Sequence, residues 1–258
     1  MKKYILITGA SSGIGYEMAH QLAALKYNLI LTARSEDKLV AMQQELSSKY
    51  GITVHYITKD LGKTEQAAQL FDDIKRANYQ VSHLVNNAGF GSYGSFLESS
   101  LEMELNMIDL NVSSLVILTK LFAKDMAARK SGRILNVSSV IALLPFPYMS
   151  VYSATKSFVL AFSQTLAAEL EGTGVAVVTL APGMTETAFV SPELRETNLL
   201  KSSKPTPVKT VAAEGVKLLL QGKGKKIVGV QNRFNSILAA VLPDQVMMKI
   251  KMKLASIQ

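Results

Sequence analysis

The sequence predicts a single α/β domain built around a parallel sheet. Short apolar segments rich in β-formers alternate with segments whose apolar residues recur at helical spacing. The first apolar segment runs through a glycine-rich turn into a helical segment, and no linker or repeat divides the 258 residues. Such alternation implies right-handed crossovers, which place successive strands in parallel.

The composition excludes several kinds of chemistry. The chain has no cysteine, which removes disulfides, thiolate zinc ligands and cysteine nucleophiles and fits a reducing, cytoplasmic location. Its histidines, His20, His55 and His83, lack ligand-like spacing, so no metal site is predicted. The lysines and arginines behind the net charge of +8 are dispersed, which we interpret as solubility and help with phosphates rather than nucleic-acid binding.

Neither a signal peptide nor a membrane span is predicted. The first apolar run ends at Thr8, too early for the core of a signal peptide. We also expect no window to reach the length of about 18 apolar residues that a membrane span needs.

A glycine-rich turn links the first predicted strand, residues 3–8, to a predicted helix, residues 14–25. The turn reads Thr8-Gly-Ala-Ser-Ser-Gly-Ile-Gly15. Glycines let the backbone approach a pyrophosphate, whose charge is stabilised by free amide groups and the positive helix end. The spacing is Gly-x-x-x-Gly-x-Gly, and its place between strand and helix favours a nucleotide site over a plain tight turn.

The second predicted strand, residues 28–33, ends at Arg34 and Ser35. At this position a carboxylate would bind the ribose 2′-hydroxyl of NAD, whereas an arginine accommodates the 2′-phosphate of NADP. A guanidinium matches phosphate geometry, so the sequence favours NADP(H). The alternative is that Arg34 merely lies on the surface while Ser35, with Glu36 and Asp37, caps the next helix; both can hold together.

Two further strands are predicted at residues 53–57 and 82–86, with a helix at residues 63–77 between them. Asp60-Leu61 follows the first of these strands, where a carboxylate can accept a hydrogen bond from an adenine amino group. Asn86-Asn-Ala-Gly89 closes the second with groups able to bond backbone and ribose.

An aromatic loop and a long helix come next. The loop carries three aromatic residues, Phe90, Tyr93 and Phe96. They either line a pocket or simply pack. The helix, predicted over residues 101–129, contains Asn111 amid apolar neighbours. A buried asparagine needs partners, so Asn111 is either a structural bridge or part of a proton path.

A strand predicted at residues 133–138 ends beside Ser139, and a helix predicted from residue 149 carries Tyr152 and Lys156. Residues four apart share one helix face, so the phenol and the ammonium point into one volume. A nearby cation favours the phenolate, so we expect a lowered pKa for Tyr152, with Ser139 holding a carbonyl oxygen. The trio predicts carbonyl reduction or alcohol oxidation; the alternative is an ordinary pair on a helix surface.

The chain beyond this helix is predicted to complete the sheet and cover the site. The remaining elements are a strand at 175–181, a helix at 210–221 and a strand at 225–230. The polar segment at residues 184–207, with a short helix around 192–200, is a predicted substrate lid.

The tail, residues 234–258, is apolar and methionine-rich with lysines near its end. Val246, Met247, Ile250 and Leu254 fall on one predicted helical face. We expect this face to pack on another subunit or on substrate in preference to a membrane surface, because a short helix with one apolar stripe usually packs against protein.

Together these motifs resemble those of the short-chain dehydrogenase/reductase family over residues 3 to about 230. The matching residues are Thr8-Gly-Ala-Ser-Ser-Gly-Ile-Gly15, Asp60, Asn86-Asn-Ala-Gly89, Asn111, Ser139, Tyr152, Lys156, Pro182-Gly183 and Thr187. Ser139 and Tyr152 are thirteen apart, the family's usual interval, which selects Ser139 over Ser138. The departures are His83, where many relatives carry an acid, and the tail.

The resemblance implies a Rossmann-type, doubly wound sheet of order 3-2-1-4-5-6-7 with helices on both faces. It implies that Tyr152 protonates the carbonyl oxygen held by Ser139. Lys156 would bind the nicotinamide ribose and lower the tyrosine pKa, and Asn111 would hold a water leading to Lys156. NADP(H) would supply the hydride, with Thr187 at its carboxamide end, and the chain would form a homodimer or homotetramer. The implied cofactor-binding residues are Gly9, Ser11, Ser12, Gly13, Ile14, Gly15, Arg34, Ser35, Asp60, Leu61, Asn87, Ala88, Gly89, Tyr152, Lys156, Pro182, Gly183, Thr185 and Thr187.

The favoured function is NADPH-dependent reduction of a hydrophobic ketone or aldehyde, since residues 141–149, residues 90–96 and the tail offer mostly hydrophobic walls. A 3-oxoacyl thioester reductase, whose basic surface receives an acidic carrier protein, is the alternative among enzymes. An NADPH-binding sensor or scaffold without turnover is the alternative from another class, and the complete set of four catalytic residues argues against it.

Overall fold

The computed structural model describes residues 2–187, 194, 196–198, 204–241 and 244–255. Within them a seven-stranded sheet has the order β3-β2-β1-β4-β5-β6-β7, and all of its pairings are parallel, so the predicted order is confirmed. The strands are β1 (Lys3–Thr8), β2 (Asn28–Ala33), β3 (Val54–Thr58), β4 (Gln80–Asn86), β5 (Gly132–Val137), β6 (Val175–Ala181) and β7 (Lys225–Ile227).

Helices cover both faces of the sheet. They are α1 (Gly13–Ala24), α2 (Glu36–Tyr50), α3 (Thr64–Arg76), α4 (Leu101–Ile108), α5 (Ser114–Ala128), α6 (Ser150–Glu169), α7 (Val208–Gln221), α8 (Val230–Val241) and α9 (Asp244–Ala255). Alternate residues of β1 face opposite ways: Ile5 joins a buried cluster with α1, α2 and α7, while Leu6 joins one with α3 and α5. The sheet is therefore doubly wound.

The stretch predicted as one helix over residues 101–129 is interrupted. A π-helical turn, Asp109–Ser113, separates α4 from α5. The expectation that no stretch could span a membrane is wrong by length and composition, because the 28-residue stretch Leu101–Ala128 contains an 18-residue window with a mean hydropathy of 1.4. Its residues Leu118 and Phe122 are nonetheless buried against the sheet, which accounts for the apolar composition of this stretch.

Most of the predicted short helix at residues 192–200 lies outside the described residues, so the lid stays a prediction. The described ends of that segment meet, since Thr185 and Thr206 form an isolated parallel bridge. The amide of Thr206 donates to the Met184 carbonyl at 2.8 Å. These contacts bring both ends of the segment to the carboxyl edge of β6.

The tail forms two helices, α8 and α9, and the apolar face predicted for it is wrong at Ile250. That side chain is 48% exposed, whereas Lys251 and Ala255 are buried. Successive residues of an α-helix are rotated by about 100° about its axis. With positions 251 and 255 on the buried face, position 250 therefore lies at the side of the helix. Leu254 is partly buried as expected, and the side chain of Val246 lies outside the described part of the chain.

Candidate active site

The glycine-rich turn between β1 and α1 packs tightly against the end of β4. Gly9 and Gly13 have φ of +63° and +58°, a region that favours glycine. A Cβ on Gly9 would lie 2.9 Å from the Ala88 Cα, and one on Gly15 would lie 2.5 Å from the Asn87 side-chain nitrogen. Any larger residue would push this turn away from β4, so the glycines fix the cradle at the sheet edge.

The amino end of α1 is suited to an anion. Ser12 occupies the N-cap position, but its side chain makes no capping hydrogen bond, and the first turn carries no acidic residue. Amide groups and the positive end of the helix are thus left for a ligand. Together with the close glycine backbone, this geometry fits the pyrophosphate of a dinucleotide.

Arg34 and Ser35 follow β2 at the same edge, and both are exposed. Ser35 is the N-cap residue of α2, with Glu36 and Asp37 in the first turn, yet its hydroxyl makes no capping hydrogen bond. The alternative role of Ser35 as a side-chain cap is therefore wrong. Both side chains are exposed at the carboxyl edge of the sheet, and phosphate binding by them stays a prediction.

Thr8 joins the glycine turn to the end of β4. Its hydroxyl accepts hydrogen bonds from the amides of Asn87 and Ala88, each at 2.9 Å, and donates to the Val85 carbonyl. The side-chain Nδ2 of Asn87 donates to the Thr8 carbonyl at 2.9 Å. Asn87 and Ala88 thus lie beside the glycine turn as predicted, next to the cradle.

Asn86, by contrast, is buried away from the cofactor cradle. Its Nδ2 donates to Thr119 and to Asn136 at 2.9 Å, and Asn136 in turn donates to Ser163. The expectation that Asn86 could bond ribose is wrong, because its side chain points between β5 and α5. It forms a polar link through the interior.

Asp60 and Leu61 lie after β3. The Asp60 carboxylate accepts from the Gly62 amide at 3.1 Å, which fixes its loop. Leu61 is buried, and its carbonyl accepts from Ser114 at 2.6 Å. These contacts orient both residues at the carboxyl edge of the sheet, where an adenine ring is expected.

Ser139, Tyr152 and Lys156 converge as predicted. Tyr152 and Lys156 are buried on one face of α6, and the phenol of Tyr152 makes a hydrogen bond with Ser139. The Lys156 Nζ lies 5.8 Å from the centre of the tyrosine ring and donates to the Val137 carbonyl at 3.0 Å. A Cβ on Gly89 would lie 3.3 Å from that Nζ, so the ammonium adjoins the cofactor side of the site.

Asn111 lies in the π-helical turn and is 1% exposed. Its Nδ2 donates to the Phe90 carbonyl at 2.9 Å and to the Thr155 hydroxyl at 3.1 Å, while its Oδ1 accepts from the Phe90 amide. The side chain is thus a structural bridge between the aromatic loop and α6. π-Turns recur at functional sites, and the proton path through Asn111 stays a prediction.

Burial dominates the electrostatics of the site. It raises the pKa of Tyr152 to about 12, an effect that the hydrogen bond with Ser139 opposes only in part. Burial also lowers the pKa of Lys156 to about 8. The expectation of a lowered tyrosine pKa is therefore wrong for this chain, because desolvation of the phenolate outweighs the hydrogen bond with Ser139.

The end of β6 supports Ser139. The Pro182 carbonyl accepts from the Val140 amide at 2.8 Å and from the Ser139 hydroxyl at 3.3 Å. Thr185 is buried, and its hydroxyl donates to the Gly183 carbonyl at 2.9 Å. The predicted residues after β6 thus reach the site in one turn.

Thr187 lies beside the glycine turn, because a Cβ on Gly13 would be 3.4 Å from its methyl carbon. Asn232, at the start of α8, was missed by the sequence reasoning. Its Nδ2 would lie 2.1 Å from a Cβ on Gly183. Only its polar character among apolar neighbours could have pointed to Asn232, because the tail has no family pattern.

Tyr152 faces an apolar cluster. Its buried members are Met107, Phe146, Met149, Tyr152, Leu194 and Ala255, and Phe90, Tyr93, Ile141, Val151 and Leu254 pack against them. Two of the three loop aromatics therefore belong to this cluster, whereas Phe96 is 63% exposed. The Tyr93 hydroxyl donates to the Ala255 carbonyl at 2.6 Å, which ties the end of α9 to the site.

Comparison with known proteins agrees with this geometry. The family model for short chain dehydrogenases matches residues 3–198. Sulfoacetaldehyde reductase 2 of Chromohalobacter salexigens is 36% identical over 194 residues, which are 73% of this chain and 75% of that protein. Human very-long-chain 3-oxoacyl-CoA reductase is 32% identical over 246 residues, 93% of this chain and 73% of that protein.

Human 17-beta-hydroxysteroid dehydrogenase type 3 is 36% identical over 194 residues, and the aligned part spans 61% of that protein and 73% of this chain. Among solved structures, a short-chain dehydrogenase from Sphingobium yanoikuyae in complex with NADPH has a TM-score of 0.82 at 28% identity. The superposition covers 92% of this chain and 93% of the Sphingobium yanoikuyae chain. Sequence, sheet order and site therefore agree, and the chain belongs to the short-chain dehydrogenase family of oxidoreductases.

Proposed function

We propose that the protein reduces an apolar ketone or aldehyde to an alcohol with NADPH. The observation that carries this proposal is the position of Tyr152, hydrogen-bonded with Ser139 and surrounded by an apolar cluster. A proton donor next to an apolar wall suits a carbonyl whose substituents are hydrophobic. The roles below follow from the same arrangement.

When bound, NADPH supplies the hydride to the carbonyl carbon. Tyr152 donates its phenolic proton to the carbonyl oxygen, and a phenol with a pKa of about 12 can do so because an alkoxide is a stronger base than a phenolate. Ser139 hydrogen-bonds the same oxygen as it gains negative charge. Lys156, with a pKa of about 8, is protonated at neutral pH and stabilises the phenolate that remains.

The cofactor preference rests on Arg34 and Ser35. Both are exposed after β2, and Ser35 makes no capping bond, so a guanidinium and a hydroxyl are available to a 2′-phosphate. The Sphingobium yanoikuyae structure, which contains NADPH, supports this assignment. The glycine turn and the amino end of α1 would receive the pyrophosphate.

Reduction of a 3-oxoacyl thioester is the second candidate. It is favoured by the likeness to very-long-chain 3-oxoacyl-CoA reductase over 93% of this chain. The apolar cluster around Tyr152 suits a fatty chain as well as a free ketone. Comparing turnover of a free ketone with that of the matching thioester decides between the two candidates.

A cytoplasmic homo-oligomer fits the remaining surface features. Leu101 and Leu105 on α4 are 73% and 51% exposed, and they lie one turn apart on the same face. A second copy of the chain would cover this face. The lack of cysteine suits a reducing compartment.

The replacement Tyr152→Phe tests the proposed reaction. It removes one oxygen from a packed ring, so we expect turnover of an apolar ketone to fall by about 10²–10⁴-fold while NADPH still binds. Turnover is followed by NADPH absorbance and binding by calorimetry. Tyr79→Phe, a tyrosine stacked on His55 at the opposite edge of the sheet, is the control. Activity retained in Tyr152→Phe would contradict the role of this phenol.

A further inference from the structure

Four apolar side chains of helix α8 face solvent, whereas Asn232 on the same helix faces the protein. Val230, Phe234, Ile237 and Leu238 are 75%, 61%, 68% and 40% exposed, and we call them the outer stripe. Asn232 lies on the opposite side, where it donates to the Val228 carbonyl at 2.7 Å. A helix of a soluble domain normally has the reverse arrangement, so the outer stripe requires a partner.

Basic residues accompany the outer stripe. Residues 223–258 contain seven lysines and arginines and one acidic residue, Asp244, a net charge of +6 within a chain of net +8. Lys226 is paired with Glu214 and Lys251 is buried, whereas the other five basic residues are exposed. Arg233 is exposed on α8 next to Phe234. On α9, Lys249 and Lys253 are exposed. The partner of this region is therefore expected to be both apolar and anionic.

We propose that the outer stripe docks on an anionic membrane surface, with Phe234 and Ile237 inserted at the boundary between headgroups and acyl chains. A helix with one apolar face, flanked by lysine and arginine, binds such an interface by burying the apolar face and by attracting anionic lipids. The outer stripe supplies the apolar face, while Arg233 on α8 and the exposed Lys249 and Lys253 on α9 supply basic charge in the same C-terminal segment. This reverses the sequence-based ranking, which placed protein packing first.

Two other partners fit less well. In a two-fold interface between copies of this chain the same surface meets itself, so its basic residues would face each other and repel. An acidic carrier protein that presents a helix needs a groove to receive it, whereas the outer stripe protrudes from a single helix. The membrane surface satisfies charge and shape together.

The position of the tail links this surface to the site. Asn232 lies against Gly183, and Leu254 packs in the apolar cluster around Tyr152. Docking would therefore hold the cluster close to the bilayer, so a carbonyl compound dissolved in lipid would have a short route to Tyr152. This last consequence rests on the proposed function, whereas the docking itself does not.

The full chain is tested by co-sedimentation with phosphatidylcholine vesicles prepared with and without phosphatidylserine, in the absence of NADPH and substrate. We expect binding to the anionic vesicles that weakens as salt rises. The double variant Phe234→Ser/Ile237→Ser should bind roughly 100-fold more weakly. A second variant, Lys249→Gln/Lys253→Gln, should lose about 10–30-fold with anionic vesicles only.

The matched control is Leu25→Ser, which removes another exposed apolar side chain, at the end of α1 on the opposite edge of the sheet. It should bind vesicles like the unmodified chain. Absence of vesicle binding at low salt, or equal binding by the Phe234→Ser/Ile237→Ser variant, would overturn the proposal. Light scattering gives a further check. If the Phe234→Ser/Ile237→Ser variant has a lower mass than the unmodified chain but binds vesicles equally well, the outer stripe is an interface between two copies and the proposal is overturned. Reductase activity plays no part in these readouts, so failure of the proposed function would leave the result interpretable.

Discussion

Tyr152 and Lys156 show at the scale of single residues how burial sets the chemistry of a pair. Burial raises the pKa of the phenol to about 12 and lowers that of the ammonium to about 8, so both stay protonated at neutral pH. The tyrosine is thereby ready to donate a proton rather than to accept one. This state suits the reductive direction of the proposed reaction.

Arg34 is the residue on which the cofactor preference depends, and the replacement Arg34→Asp tests it. Loss of charge-assisted hydrogen bonds to a 2′-phosphate should cost about 1.5–3 kcal/mol, or roughly 10–150-fold in NADPH affinity. NADH lacks that phosphate, so its affinity should change far less. Fluorescence titration with both cofactors measures the difference, and Lys49→Asp at the far end of α2 is the control. Equal losses for both cofactors would place the 2′-phosphate elsewhere.

The elements of the sheet were predictable because their signals are local. Strand β6 has the predicted bounds, 175–181, since an apolar run interrupted only by Thr179 and bounded by turn residues specifies a buried strand. The π-helical turn at Asp109–Ser113 was not predictable from the sequence. The apolar residues recur through it at nearly helical spacing, and a shift of one residue is smaller than the normal variation of that spacing. The prediction of the buried face of α9 was wrong for a related reason. Apolar residues occur all around this helix, so tertiary contacts determine which of its faces is buried.

Strand β4 carries a histidine whose titration should be visible in the stability of the fold. Burial, with the charges of Arg133 and Lys3, lowers the pKa of His83 to about 4. The unfolded chain therefore binds a proton more readily than the folded one between pH 6.5 and about 4. Stability from this residue is present above pH 6.5 and is lost as pH falls toward 4, by at most about 3 kcal/mol.

The replacement His83→Gln should flatten this part of the pH dependence. Urea unfolding of both proteins at pH 7 and at intervals down to pH 4 gives the two curves, and their difference isolates His83 from the carboxylates. We expect the two proteins to diverge only below pH 6.5, with the variant losing less stability. Parallel curves across the whole range would show that the folded protein accommodates a charged His83.

At the scale of the whole molecule, the tail returns to the site from far along the chain. Tyr93 and Ala255 are 162 positions apart, yet the hydroxyl of one donates to the carbonyl of the other. Sequence motifs brought out the residues proposed to be catalytic, because Ser139, Tyr152 and Lys156 follow one another at short intervals and Asn111 stands amid apolar neighbours. They did not locate this contact or that of Asn232 with Gly183, because a contact between distant segments leaves no periodicity in either segment.

The replacement Tyr93→Phe tests whether the tail shapes the substrate site. Loss of the hydrogen bond to Ala255 should reduce the free energy of unfolding by about 0.5–1.5 kcal/mol and loosen the end of α9. The KM for an apolar ketone should rise by roughly 3–10-fold with kcat nearly unchanged, since the cluster holds substrate and the proton donor is intact. Tyr148→Phe, whose ring lies 5.7 Å from that of Tyr93, is the control. A lower kcat at unchanged KM would instead place Tyr93 in the chemical step.

The π-helical turn has a consequence for insertions and deletions. Removing a single residue from Asp109–Ser113 would let Leu101–Ala128 wind as one uninterrupted helix. The flanks would keep their relative rotation, because the π-helical turn already accommodates one residue more than an α-helical turn, but the residues within the turn would be repositioned. Asn111 could then no longer reach Phe90 and Thr155 together. We expect a shortened chain of this kind to gain backbone regularity and to lose the proposed reductase activity.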